Sequence, residues 1–497
     1  MDDKKIKKKA FASVFWKFSE RMLAQMASLV VSIVLARILD PTDYSVVSVV
    51  TIFFTFANVF ISGGLNTALI QKKEKDSTDY STCLFISVVL AIAIYTVLFL
   101  CAPLIAKFYG QPILVIMIRV MGLSLPVNAV NSIWSAYISS NFLFRKFFFA
   151  TLGGTLLSGV VGIVLAYCGF GAWALIAQQM TNIFVSTGIL IISTRLYLVP
   201  RVSFERLIGL WNYGWKVFVS SIIGTVYTQI TPLITGVKFS TADLSFYTRG
   251  KSFPELLSTT STNTFSAVLL PVLSKYQDDK EVLLRYTRRF IQLTSYIAFP
   301  SMLGLFAVAD KFVLVLLTEK WLPAVPFIRI FCVTYMFEMV ALGNCETIKA
   351  MGRSDVFLIM EIVKKVGYFV AIVVFVFFSD SAETLASVYI VCTVIQVIVN
   401  SIPNKRLIGY KYSLQIKDLA PNLSLAIVMC VAVVLIGKIT LNSTALLLVQ
   451  ILGGGAVYIL LSAVTKNESF QYFLSMFLNI IKMGYVLEHH QEEKRVI

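Results

Sequence analysis

The chain has 497 residues, 57% hydrophobic and 14% charged, with a mean hydropathy of +0.80, a composition too apolar for a soluble globular domain. Its net charge of +16 does not indicate a nucleic-acid binder, because the basic residues collect in alternate loops between apolar spans. The seven cysteines (Cys83, Cys101, Cys168, Cys332, Cys345, Cys392, Cys430) stand singly in apolar stretches without CxxC spacing, which argues against a disulfide framework or a metal centre.

The basic start, MDDKKIKKKA, is like the n-region of a signal peptide. The apolar run after it is too long and lacks a small-residue cleavage site, so the first span is expected to be retained. At about 20 mainly apolar residues per spanning helix, fourteen spans are expected. They lie near 11–36, 45–69, 82–105, 113–139, 147–168, 173–193 and 211–237. The rest lie near 252–273, 290–317, 326–348, 356–378, 384–402, 421–440 and 444–464. The segment beyond Lys466 carries Lys482 and a charged end, which favours an interfacial helix over a fifteenth span.

The first span carries Lys17, Glu20 and Arg21 in its first half. A charge near the bilayer centre costs about 2.5–3.5 kcal/mol on insertion scales, so such residues face a bundle interior or a watery cavity. Lys17, Arg21, Gln25, Ser28 and Ser32 fall on one helical face. A second copy begins about two hundred residues on: Trp16-Lys17 matches Trp215-Lys216, and Asp43-Tyr-Ser45 matches Asp243-Leu-Ser245. There Lys216, Ser220, Gly224, Tyr227, Thr231 and Thr235 share a face. In the next helices Thr51, Thr55, Asn58 and Ser62 align with Lys251, Glu255, Ser258 and Thr262. One such stripe is equally well read as interhelical hydrogen bonding; four at equivalent places favour a shared wet cavity.

With the N-terminus inside, cytoplasmic segments hold 28 Lys and Arg and the opposite loops eight, which puts both termini in the cytoplasm. The expected architecture is an all-α polytopic membrane protein with two six-helix lobes in parallel repeat around a central cavity, plus two extra C-terminal helices. The corresponding segments are a basic tail (1–10), an N-lobe (11–205), a C-lobe (206–410), the extra helices (411–465) and a cytoplasmic tail (466–497). The extra helices carry few polar residues and are expected to flank the lobes.

Among the in-span charges, Glu361 is spaced to pair with Lys364 or Lys365, and Arg329 is near enough to a span end to reach the interface. Arg21 lies about 15 Å in from Phe11 and cannot easily escape. Lys17, Arg21, Arg119, Lys216, Arg249 and Lys251 remain as cavity cations, with Gln25, Ser28, Asn58, Ser220 and Thr231 as polar cavity residues. Such a cation surplus suits an anionic passenger, since guanidinium grips phosphate bidentately and lysine adds a compact charge. Glu338, near the middle of the tenth span, is the candidate for proton or sodium coupling; pairing with a cation such as Arg329 is the alternative. Both histidines, His489 and His490, lie in the tail and no external loop is long, so an enzyme is not expected, and no cofactor is implied.

Four runs point further: W-K-x-x-E-R-x-x-x-Q at Trp16 to Gln25, V-L-A-R-I-L-D-P-x-D-Y at Val34 to Tyr44, S-G-G-L-x-x-A-L-I-Q at Ser62 to Gln71, and F-Y-T-R-G-K-S-F-P at Phe246 to Pro254. They resemble the polysaccharide transporter family, the Wzx-type and teichuronic-acid-type flippases of the MOP superfamily. The resemblance implies two six-helix lobes around a cationic cavity. It also implies flipping of undecaprenyl-pyrophosphate-linked oligosaccharide across a bacterial inner membrane by alternating access, for O-antigen, capsule or exopolysaccharide synthesis. Arg21, Lys216 and Arg249 occupy places where related flippases carry cavity cations. Polysaccharide polymerase or assembly proteins are the implied protein partners. The competing reading is a multidrug or organic-cation antiporter of the same superfamily, which predicts an acidic first lobe; this one is basic. A scaffold without transport predicts instead that neutralising Arg21 and Lys216 leaves function intact.

Overall fold

The computed structural model describes residues 23–475 apart from 63, 73–74, 142, 195 and 200. Lys17, Glu20, Arg21 and the tail from 476, with Lys482, His489 and His490, lie outside the described residues. Among the described residues every regular element is helical. The chain is a multi-pass α-helical membrane protein.

Two compact units share the chain, Met1–Thr248 and Arg249–Ile497. The first holds α1 (Leu23–Ile38), α2 (Pro41–Ser62), α3 (Leu65–Gln71), α4 (Ser77–Tyr109), α5 (Ile113–Gly122), α6 (Ser124–Ser140), α7 (Phe144–Tyr167), α8 (Ala172–Ser193), α9 (Phe204–Lys238) and the first turns of α10 (Thr241–Ser274). The second holds the rest of α10, α11 (Lys280–Leu316), a 3-10 turn (Glu319–Ala324), α12 (Val325–Met336), α13 (Glu338–Ala350), α14 (Ser354–Phe378), α15 (Ala382–Ala386), α16 (Val388–Leu407), α17 (Tyr412–Ile436) and α18 (Ser443–Val464).

Helix occupies the described part of all fourteen expected segments, but eleven are long and apolar enough to cross a bilayer. The other three are α1, α10 and α14. The described part of α1 is short, α10 carries charged residues and a long polar run from Ser258 to Thr264, and α14 carries Asp355, Glu361, Lys364 and Lys365. Large side chains stand bare on the outer surfaces, among them Leu100, Leu104, Phe377, Phe378 and Val464; an apolar exterior on this scale fits lipid rather than water.

Several helices outrun the expected spans because polar caps extend them. Asp76 and Asp79 form a reciprocal capping box that starts α4 at Ser77. Ser203 caps α9 through the Arg206 N–H, and Asp279 accepts from the Glu281 and Val282 N–H groups at the start of α11. Three spans are broken: α5 meets α6 at Leu123, α12 meets α13 at Phe337, and α15 meets α16 at Ser387.

In the first unit α7 and α8 form a close hairpin. Gly154 faces Ser186 and Asn182 of α8, Gly159 faces Val31 of α1, and Gly162 faces Gln178, the small-residue packing by which membrane helices associate. Leu35, Val49, Met117, Leu125 and Ile176 knit α1, α2, α5, α6 and α8 into one core. In the second unit α11 is the spine, packing on α12, α13, α17 and α18. The first of the two added helices is less apolar than expected: α17 begins at Tyr412 rather than near 421 and buries Gln415, Asp418 and Asn422.

Candidate transport site

The duplicated segment has the same local structure in both copies. Ser45 Oγ donates to the Thr42 carbonyl and Ser245 Oγ to the Ala242 carbonyl, each at 2.7 Å. Asp43 accepts from the Asp40 N–H, while Asp243 accepts from the Ser240 hydroxyl. The hydroxyls of Ser48 and Thr248 meet at 3.3 Å, and Gln111 donates to Thr241 at 2.8 Å. The short polar side chains thus fix how α2 and α10 begin.

The polar stripes of the first unit divide. On α1, Gln25 is half-buried and Ser28 exposed. On α2, Thr51 and Thr55 return their hydroxyls to the carbonyls one turn back, and Asn58 is half-buried. On α9, Lys216 and Ser220 are exposed whereas Thr231 and Thr235 are fully buried. Arg119 stacks on Phe99 of α4 with its guanidinium 4.2 Å from the ring centroid, and its Nε has no hydrogen-bond partner among the described residues.

At one end of this unit an ion cluster ties α9 to the start of α4. Asp79, buried, accepts from Lys72 Nζ at 2.7 Å on both carboxylate oxygens. Arg206 bridges Asp76 and Asp79, and its guanidinium holds the Asp76 carboxyl below the usual carboxylate range by hydrogen bonding to it. Val199 and Ser203 donate N–H bonds to Ser81 and Thr82 of α4. Beside this cluster Gly64 and Gly214 touch backbone to backbone; a Cβ on Gly64 would lie 2.0 Å from the Gly214 carbonyl oxygen. A cavity of about 310 Å³ opens here, lined by Gln71, Lys72, Arg206 and Leu210.

In the second unit Arg249 is buried, its guanidinium 5.2 Å from the Trp321 ring centroid, a placement suited to cation–π attraction. Lys251 pairs with Glu255 at 3.6 Å, and Glu255 also takes a hydrogen bond from Tyr335. Ser258, one turn further along α10, donates to Glu338. Glu338 is therefore not isolated, as the sequence suggested: it opens α13 at the break in the tenth span and faces the polar stripe of α10. Arg329, the expected alternative partner, pairs instead with Asp310 at 2.5 Å. Glu361 pairs with Lys364.

A second polar system holds the helices of this unit together. Arg288 forks onto Asp418 at 2.7 and 2.8 Å, with Gln292 and Tyr410 donating to the same carboxylate. Asn344, Ser401, Asn404 and Gln415 bond one another in the core. Sequence reasoning passed over these residues and Asp79. The signal for Asp79 was present in the Asp76-x-x-Asp79 spacing of a capping box; buried amides give none. Two cavities adjoin this framework: a polar one of about 460 Å³ beside Asp418 and Asn467, and an apolar one of about 560 Å³ lined by Leu257, Phe312, Met429, Gly454 and Tyr458.

The model of one protein family, described as polysaccharide biosynthesis protein, matches residues 34–326. The chain belongs to this family. It is 23% identical over 478 residues to an uncharacterized membrane protein in the cps region of Klebsiella pneumoniae, spanning 93% of this chain and 96% of that one. It is 25% identical over 299 residues to the succinoglycan biosynthesis transport protein ExoT of Rhizobium meliloti, 59% of each chain. Among solved structures, the lipid II flippase MurJ in an inward closed conformation superposes with a TM-score of 0.71 at 14% identity, over 92% of this chain and 99% of that one. A multidrug resistance MATE family transporter of the MOP superfamily superposes less well, at a TM-score of 0.52 and 12% identity over 77% of this chain and 95% of that one. The fold is that of this flippase and transporter architecture.

Proposed function

We propose that the protein moves undecaprenyl-pyrophosphate-linked oligosaccharide units from the inner to the outer leaflet of a bacterial inner membrane by alternating access, for assembly of a surface polysaccharide. The family match over residues 34–326 carries this reading. The names of the relatives support it: one lies in a cps region and another is a biosynthesis transport protein for succinoglycan. The charge asymmetry of 28 to eight supports cytoplasmic termini. The protein acts as a transporter rather than an enzyme, handing its cargo to polymerase and assembly proteins.

Lys17, Arg21 and Lys216 are the proposed pyrophosphate contacts, with Gln25, Ser28, Asn58 and Ser220 as polar lining. At an effective dielectric near 20, a cation 4 Å from a phosphate charge contributes about 4 kcal/mol, so several contacts offset dehydration of a pyrophosphate. Arg249 and Arg119 are further proposed cations, each held within its own unit against Trp321 and Phe99 respectively. Glu338 is the proposed coupling group.

Arg21→Gln and Lys216→Gln are each expected to impair saccharide export while the protein inserts normally. Full surface polysaccharide in both variants at normal protein levels would remove the cationic path. The MATE likeness favours a second reading, export of organic cations; the basic first lobe opposes it, and sensitivity of a deletion strain to such compounds decides.

A further inference from the structure

The break between α12 and α13 carries more chemistry than one carboxylate. Glu338 begins α13 directly after Phe337, the single residue that separates it from α12. Ser258 donates to it. Glu255 and Lys251, on the same stripe of α10, lie within electrostatic reach of Glu338, and Lys251 is the cation that acts on it among the described residues. Lys251 sits 3.6 Å from Glu255. From the other packed elements, Tyr335 of α12 bonds Glu255, Tyr368 of α14 acts on Glu338, and Tyr389 of α16 faces Tyr335. From α11 the Phe299 ring packs on Phe337.

Among the described residues of the cluster two carboxylates against one ammonium leave one negative charge in excess, and holding it inside a membrane protein is costly unless it is neutralised. A metal cation would need a cage of several oxygen ligands. Here the Lys251 ammonium already occupies the position beside Glu255 from which such an ion would draw that carboxylate. A proton needs no cage. The Glu255 side chain is 44% exposed, so water reaches the edge of the cluster while Glu338 lies deeper.

We infer that Glu338, Glu255 and Lys251 form a binding site for one proton, carried on Glu338, and that this proton is the coupling ion of the transport cycle. The inference rests on the flippase reading for its role and on the cluster for its chemistry. A proton from water forms the O–H bond of a neutral Glu338 carboxyl, leaving Lys251 balanced by Glu255 alone. Release of the same proton to water in the opposite conformation restores the anion, which Ser258 and Lys251 then stabilise. Lys251 is accordingly a counter-charge to the carboxylates rather than a contact for cargo.

Infrared difference spectra of the full-length protein in nanodiscs, between acid and alkaline buffer, test the site without any cargo. A carboxylic-acid carbonyl band is expected in wild type and lost in Glu338→Gln. It should titrate at lower pH in Glu255→Gln, where Lys251 serves Glu338 alone. Should Glu338→Gln fail to accumulate, Ser258→Ala is expected to move the band to higher pH by removing a bond to the anion. A band untouched by these changes, or one abolished by sodium chloride at constant pH, would overturn the site. In proteoliposomes a pH gradient should accelerate flipping by wild type and not by Glu338→Gln; equal acceleration of both would overturn the coupling. A protein that shows the band but moves no lipid-linked saccharide would reject the flippase reading and leave the proton site standing.

Discussion

Ser48 and Thr248 stand 200 residues apart in sequence, and their hydroxyls meet at 3.3 Å. They are equivalent positions of the two aligned segments, and both belong to the first unit. Ser45 and Ser245, one turn earlier, bond backbone carbonyls in the same way. The two aligned segments therefore share this local hydrogen bonding where little identity remains. Ser48→Cys combined with Thr248→Cys is expected to cross-link on mild oxidation, because the two side chains already meet at their tips. Mobility on denaturing gels reads the result, and no cross-link in the purified protein would contradict the contact.

The Gly64–Gly214 contact predicts an intolerant pair. Gly64 has φ of +81°, a conformation that costs another residue about 1–2 kcal/mol, and its missing Cβ leaves the space filled by the Gly214 carbonyl. Gly64→Ala is expected to lower the thermal unfolding midpoint by several degrees, as a core clash does. Gly110→Ala shares the positive φ but meets no neighbour among the described residues and should cost less. Thermal unfolding in detergent compares them.

Arg206 gives a pH signature. Its bond to Asp76 depresses that carboxyl in the folded state, so the bond contributes stability above the ordinary carboxylate range and loses it as pH falls through the depressed folded value. Arg206→Ala should thus be destabilised relative to wild type at neutral pH, with the gap closing in acid. The difference in unfolding midpoint across a pH series measures it. A gap that widens toward acid would contradict the assignment.

The cations should separate by burial. Arg249 is 7% exposed and stacked near Trp321, a contact worth about 2 kcal/mol when desolvated, so Arg249→Gln is expected to reduce folded protein as well as export. Lys216 is exposed on α9, so Lys216→Gln should reduce export at unchanged protein level. Fluorescence-detected size exclusion reports the first quantity and surface polysaccharide the second.

Periodicity and apolar length were enough to position the helices, because a membrane allows few alternatives to a satisfied helical backbone. They could not place the helix ends: Asp76, Ser203 and Asp279 extend α4, α9 and α11 through caps that hydropathy does not register. The α10 stripe was legible as Lys251, Glu255 and Ser258, yet its convergence on Glu338 depends on which helix packs opposite, and one sequence does not show that. The Arg288–Asp418 fork joins residues 130 apart, a pairing that no local spacing signals.

Flipping is tested most directly in a strain of the native host lacking this protein, by extracting lipid-linked saccharides and determining which leaflet holds them. A complete repeat unit is expected to accumulate on the cytoplasmic leaflet, relieved by wild type and not by Arg21→Gln. An unchanged lipid-linked pool with new sensitivity to organic cations would contradict it.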